Sequence, residues 1–114
     1  MQVASRDELS AFTTKDGSEI REFHHTAAQS LAEASLATGQ STQRHYHAAS
    51  EEIYFVLEGE GELEIDGERR RVGVGDAALI PAGAWHEIVA TSRLRFLCCC
   101  APPYSDDDTF FSPS

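Results

Sequence analysis

From Glu19 to Cys100 the chain is a succession of short runs rich in Ile, Val, Leu, Phe and Tyr, each of four to seven residues and broken by Gly, Pro and Asp. Runs of that length with period-two alternation predict strands. They span Glu19 to His24, Leu31 to Ala37, Gln43 to His47, Ile53 to Glu58, Gly61 to Ile65, Glu68 to Val72, Ala77 to Ile80, Trp85 to Ala90 and Leu94 to Cys100. Asp66-Gly67 separates two of them, and a two-residue type I′ hairpin turn needs positive φ at both central positions, which this pair tolerates. With no helical period after the first dozen residues, the expected class is all-β, either a closed barrel or two packed sheets.

The 114 residues suit one domain. The expected division is an N-terminal segment over 1–18 with a brief helix around Arg6 to Phe12, a β-domain over 19–101, and an extended acidic tail over 102–114. Nine basic against nineteen acidic residues, a formal charge of -10, argue against nucleic acid or an anionic membrane surface as partner. No apolar run approaches a membrane span and no signal-peptide pattern opens the chain, so the expected location is cytoplasmic. The three cysteines, Cys98-Cys99-Cys100, are consecutive, and neighbours on a strand face opposite ways. Mutual disulfides are therefore geometrically poor, and the three read as small apolar strand residues.

His45 and His47 lie two apart in one predicted strand, and residues i and i+2 share a face about 6.6 to 6.8 Å apart. Two imidazoles so placed can converge on one ion at roughly 2.1 Å per nitrogen, with Tyr46 pointing away. Glu51 or Glu52 on the following strand offers a carboxylate, and His86 behind Pro81-Ala82-Gly83 offers a third imidazole. His24 and His25 fit no such pattern and read as ordinary strand or surface residues, as does the Arg69-Arg70-Arg71 run beside the hairpin.

From Gly39 the residues run GxxxxxHxHxxxxExxxxxxG to Gly59, and after fifteen intervening residues GxxxxxPxGxxH runs from Gly75 to His86. This resembles the cupin superfamily, at all five marked positions of its first motif and four of five of its second. Ala90 stands where the family pattern has an asparagine that is not a metal ligand. The resemblance implies a jelly-roll β-barrel holding one divalent transition metal on His45, His47, Glu52 and His86, the six residues between Glu52 and Gly59 selecting Glu52 over Glu51. Three imidazoles and a carboxylate suit Fe, Mn, Ni, Co or Zn, and ligand type alone does not choose among them.

Coordination positions left open by such a set would allow Lewis-acid polarisation, water activation, or joint binding of substrate and dioxygen. The expected function is a metal-dependent enzyme acting on a polar small molecule, an oxygenase first and an isomerase or epimerase second. The alternative is a non-enzymatic module that binds or senses a metabolite. No separate carboxylate or lysine is marked by the sequence as a general base, while Tyr54, Phe55, Trp85 and Phe96 are candidate pocket or interface aromatics. Ile53-Tyr54-Phe55-Val56-Leu57 is apolar on both faces, so the strand needs cover on both sides. Together with the paired barrels that the resemblance implies, this predicts a homodimer through Ile53, Phe55 and Leu57.

Overall fold

The computed structural model describes residues 1–113. Its strands are β1 (Phe12–Thr13), β2 (Glu19–His25), β3 (Ser30–Leu36), β4 (His45–His47), β5 (Glu51–Glu58), β6 (Glu60–Ile65), β7 (Glu68–Gly73), β8 (Ala77–Ile80), β9 (His86–Ala90), β10 (Leu94–Ala101) and β11 (Thr109–Phe111). The nine apolar runs all become strands, β2 to β10. The β6–β7 hairpin closes on Asp66 (φ 48°) and Gly67 (φ 89°), the two positive values that the turn requires. Asp66 also accepts the Trp85 N–H on Oδ1 at 2.9 Å and donates its own N–H to the Trp85 carbonyl at 2.8 Å. The hairpin tip thereby holds the entry to β9, one residue before His86.

The strands form two sheets, ordered β1-β2-β3-β10-β5-β8 and β11-β4-β9-β6-β7. All-β is right, but the expected closed barrel is not: neither sheet closes on itself or on the other, and β1, β8, β11 and β7 are free edges. The difference is physical. Alternation of inward and outward residues is the same in a barrel and in a sandwich of open sheets, whereas closure depends on whether edge strands share hydrogen bonds. Here three edges are only two to four residues long, and β7 carries Arg69, Arg70 and Arg71.

Between the sheets lie Leu36, Val56, Leu63, Ile80, Ile88, Leu94 and Phe96, all buried. Each contributes roughly 1.5 to 3 kcal/mol through removal of apolar surface from water. Gly61 sits where a Cβ would press on the Val89 carbonyl and Leu94, and Gly59, at φ 80°, where one would overlap the Arg93 carbonyl. Both therefore resist substitution.

The two ends of the chain depart from expectation. Instead of a helix from Arg6 to Phe12 there is one 3-10 turn, Arg6–Glu8, after which Phe12 and Thr13 pair with Ile20 and Glu19 as β1. Residues 102–113, within the segment expected as an extended acidic tail, hold a 3-10 turn at Asp106–Asp108 and then β11, which pairs Thr109, Phe110 and Phe111 with His47, Tyr46 and His45. Within the acidic run, the Asp108 carboxylate takes the Ala49 N–H at 2.9 Å and the Ser50 N–H at 3.1 Å, fastening the β4–β5 turn, and Asp106 accepts from the Tyr104 hydroxyl at 2.9 Å. Among the described residues, no helix is long and apolar enough to cross a membrane.

Candidate metal centre

Strand alternation sends His45 and His47 inward from β4, with Tyr46 outward in a stack on Phe110. On the facing sheet it sends Glu52, Tyr54 and Val56 inward from β5 and leaves Glu51 exposed. The Pro81-Ala82-Gly83 turn, with Gly83 at φ 83°, donates the Gly83 N–H to the His47 carbonyl at 2.7 Å. That bond ties β4 to the approach to β9, and His86 then pairs directly with His45. His45, His47 and His86 end up buried, each offering a ring nitrogen within 4.8 Å of the others, a cluster able to coordinate a metal ion. Glu52 stands on the His47–His86 side, its Oε1 3.5 Å from His47 Nε2 and 3.3 Å from His86 Nε2.

Each imidazole is oriented by its other nitrogen. His45 Nδ1 lies 2.6 Å from the Gln43 carbonyl and His86 Nδ1 3.0 Å from the Ala84 carbonyl, and a carbonyl only accepts, so both Nδ1 atoms carry hydrogen. Thr109 donates its hydroxyl proton to the Ser105 carbonyl at 2.8 Å, so toward His47 Nδ1, 3.2 Å away, Thr109 Oγ1 can only accept. All three tautomers leave Nε2 as the lone-pair nitrogen facing the centre, which is the role of outer partners around a metal. Glu52 is held in the same way, by the Cys100 thiol donating to Oε2 at 3.3 Å. Burial and the Glu52 charge push that thiol's pKa up, which keeps it a donor.

The donor set fits a cation. Glu52 Oε1 and His86 Nε2 are buried with no hydrogen-bond partner, although buried polar groups are normally satisfied. Burial, aided by the neighbouring His86, pushes His45 down to about 4, so it is a neutral ligand at pH 7. Burial also opposes charge on His47, but Glu52 outweighs it and raises this imidazole above its ordinary value. Glu52 is conversely held at about 2: burial would raise it, and His47 and His86 prevail. Protonation of His47 would balance the carboxylate as a metal cation would.

A cavity of about 50 Å³ adjoins the centre, walled by Phe12, Ile20, Tyr54 and Phe96. Of the sequence's aromatic candidates, Tyr54 and Phe96 line it. Trp85 instead packs edge-on against Tyr46 under the Arg44 guanidinium, and Phe55 is exposed. His24 and His25 do not line it, and His25 bonds Glu22 at 3.1 Å. Sequence reasoning missed Thr109, Cys100 and Asp16. Asp16 comes from the β1–β2 turn and brings Oδ2 to 3.9 Å from His45 Nε2. All three cysteines are free thiols, and Cys100 is not the inert apolar residue expected.

A sequence model of the cupin domain matches residues 32–100. An uncharacterised protein of Methanocaldococcus jannaschii is 44% identical over 110 residues, covering 90% of this chain and 88% of that one. An oxalate-binding protein of Thermotoga maritima is 33% identical over 79 residues, 68% of this chain and 65% of its own. A 5-aminosalicylate 1,2-dioxygenase of Comamonas is 42% identical over 52 residues, 46% of this chain and 14% of its own. Among solved structures, KdgF from Halomonas superposes with a TM-score of 0.82 at 26% identity, over 90% of this chain and 95% of that one.

Proposed function

Because the chain belongs to the cupin-domain family, we propose that it is a metal-dependent enzyme that turns over a polar small molecule at a divalent centre held by His45, His47, Glu52 and His86. Oxygenase chemistry is the first assignment, isomerase or epimerase chemistry the second. The observation that carries this reading is the orphaned pair Glu52 Oε1 and His86 Nε2, buried where Glu52 reaches a cavity, while the far Nδ1 of each imidazole and the other Glu52 oxygen are anchored. A structural ion would normally be closed off by protein ligands, whereas this centre opens onto an apolar-walled space. A bound divalent ion would supply Lewis acidity and, if redox-active, a site for dioxygen.

The chain's own residues do the rest. Gln43, Ala84 and Thr109 fix the imidazoles in the Nε2-ligating tautomer, and Cys100 fixes the carboxylate. Tyr54, Phe96 and Ile20 exclude water from one side of the bound molecule. The test is elemental analysis of the purified protein, followed by oxygen uptake and product detection with the Fe(II)-loaded protein across polar carbonyl and enediol compounds. Stoichiometric metal and metal-dependent turnover are expected. Equal metal in wild type and His47→Ala would sink the centre.

The oxalate-binding relative favours a second reading, a non-enzymatic module that holds a metabolite through the same ion. It predicts saturable binding with neither oxygen uptake nor altered product.

We also propose a homodimer. The second sheet covers the inner side of β5, yet on its outer side Ile53, Phe55 and neighbouring Leu79 remain 42%, 40% and 55% exposed. Cross-strand pairing of Ile53 with Leu79 and Cys99, and of Phe55 with Leu97, joins them into one apolar patch. Light scattering across micromolar concentrations should give twice the chain mass. A monomeric mass throughout removes the dimer.

A further inference from the structure

The cavity beside the histidines is lined by the carboxylates Asp16, Glu22 and Glu52, and among the described residues no lysine or arginine lines it. Glu22, toward the exposed side, is engaged by His25 at 3.1 Å. Asp16 is different. Its Oδ1 is saturated by Thr14 Oγ1 at 2.7 Å, Ser18 N at 2.9 Å and Ser18 Oγ at 2.7 Å. Among the described residues, its Oδ2 is approached only by His45 Nε2, at 3.9 Å. The turn is itself pinned against the segment that leads into β4, since the Asp16 carbonyl accepts the Gln43 N–H at 2.8 Å and the Gln40 amide donates to the Gly17 carbonyl at 3.1 Å. Only 15% of the Asp16 side chain is exposed. A fixed, acceptor-only oxygen therefore faces the place where a molecule touching the centre would sit.

The charge count points the same way. Apart from Glu22, which is part-exposed and faces His25, Glu52 and Asp16 bring two negative charges, and a divalent ion among neutral imidazoles would balance them. An uncharged ligand preserves that balance, whereas a dicarboxylate adds two uncompensated charges in a space walled by Phe12, Ile20, Tyr54 and Phe96. We propose that the site takes uncharged small molecules that present a hydroxyl or N–H donor to Asp16 Oδ2 while a second polar atom faces the histidine cluster, and that it discriminates against dicarboxylates. This rests on the metal-centre reading above and narrows its substrate class.

The test uses the isosteric series oxamide, oxamate and oxalate, which carry zero, one and two negative charges. After elemental analysis has established Co(II) uptake, each is titrated into the Co(II)-loaded protein and followed by the visible spectrum of the ion. Oxalate is expected to bind wild type no more tightly than oxamide, against the preference of the aqueous ion. Asp16→Asn, at unchanged Co(II) stoichiometry, should shift the ratio of affinities toward oxalate by about tenfold or more. Oxalate binding tightest to wild type would overturn the proposal, as would an unchanged ratio in the variant. If the variant does not fold, the wild-type order decides alone. Failure of wild type to take up Co(II) would instead remove the metal centre, and this inference with it.

Discussion

Among the described residues three carboxylates are almost wholly buried, Glu33, Glu64 and Glu52, at 2%, 4% and 4% exposure, and the outer faces treat theirs quite differently from the cleft between the sheets. On one outer face Glu33 receives Arg6 at 3.2 Å and Arg95 at 3.1 Å. On the other, Glu64 receives Arg44 Nε and the Gly67 N–H, both at 2.7 Å. Each outer carboxylate has a permanent cation and no unpaired oxygen. Glu52 has a thiol on one oxygen and nothing on the other, with only titratable imidazoles beside it. A buried charge matched by arginine is complete as folded, and one matched by imidazoles is completed by whatever cation arrives.

The sharpest way to break this contrast is to neutralise each carboxylate in turn. Glu52→Gln should weaken metal binding by at least about 100-fold, whereas Glu33→Gln and the outward-facing Glu51→Gln should leave it within about twofold, measured by competition with a chelator. Metal loss in Glu51→Gln with retention in Glu52→Gln would place the ligand on the wrong face of β5.

Proton competition comes next. The metal-free His47 is raised above its ordinary value, so it remains protonated at pH values where a free histidine, with a reference near 6.5, has begun to lose its proton. Metal must displace that proton. Affinity should therefore fall about tenfold per pH unit below the raised value and level off above it. A flat profile from pH 8 to 5 would exclude His47 as ligand.

The outer partners give a smaller effect. Thr109→Val keeps the shape but leaves His47 Nδ1 without its acceptor, and metal affinity should drop about tenfold, with Thr109→Ser restoring it. Melting in excess chelator separates this from unfolding, because both variants should melt close to wild type.

The smallest effect belongs to the outer face. Glu64→Gln should lower stability by about 1 kcal/mol with no change in metal affinity, as a charge-assisted contact to Arg44 becomes a neutral one. Arg44 holds the Glu64 carboxyl below its ordinary value, so its contribution is present above the unfolded value near 4.3 and is lost as pH falls through the lower folded value. Denaturant melts of wild type and variant should converge at acid pH.

What the sequence made legible was local. The two-residue period placed His45 and His47 on one face and Tyr46 on the other, separated Glu52 from Glu51, and marked Asp66-Gly67 as a hairpin. What it hid was long-range. Whether sheets close is decided by edges that share no sequence signal, so the expected barrel became two open sheets. Asp16 looks like any polar turn residue in Thr14-Lys15-Asp16-Gly17-Ser18 until the Gln43 N–H pins its backbone near His45. Thr109 follows three aspartates that read as a solvated tail, and nothing nearby indicates that Asp108 caps the β4–β5 turn. Cys100 shows its inward face by alternation, but that its thiol meets Glu52 follows only from the β5–β10 register, which pairs the two residues.

The hydrogen bond between Thr109 and His47 joins residues 62 apart in the chain. Contacts of such separation carry a loop-closure cost that the β6–β7 hairpin does not, because a long loop must close before they return any free energy. The histidines of β4 can be gathered by the central strands, but His47 acquires a fixed tautomer only once β11 has docked. Metal capture with full affinity is accordingly a signature of a finished fold, and a partly folded chain carrying every ligand would hold its ion loosely.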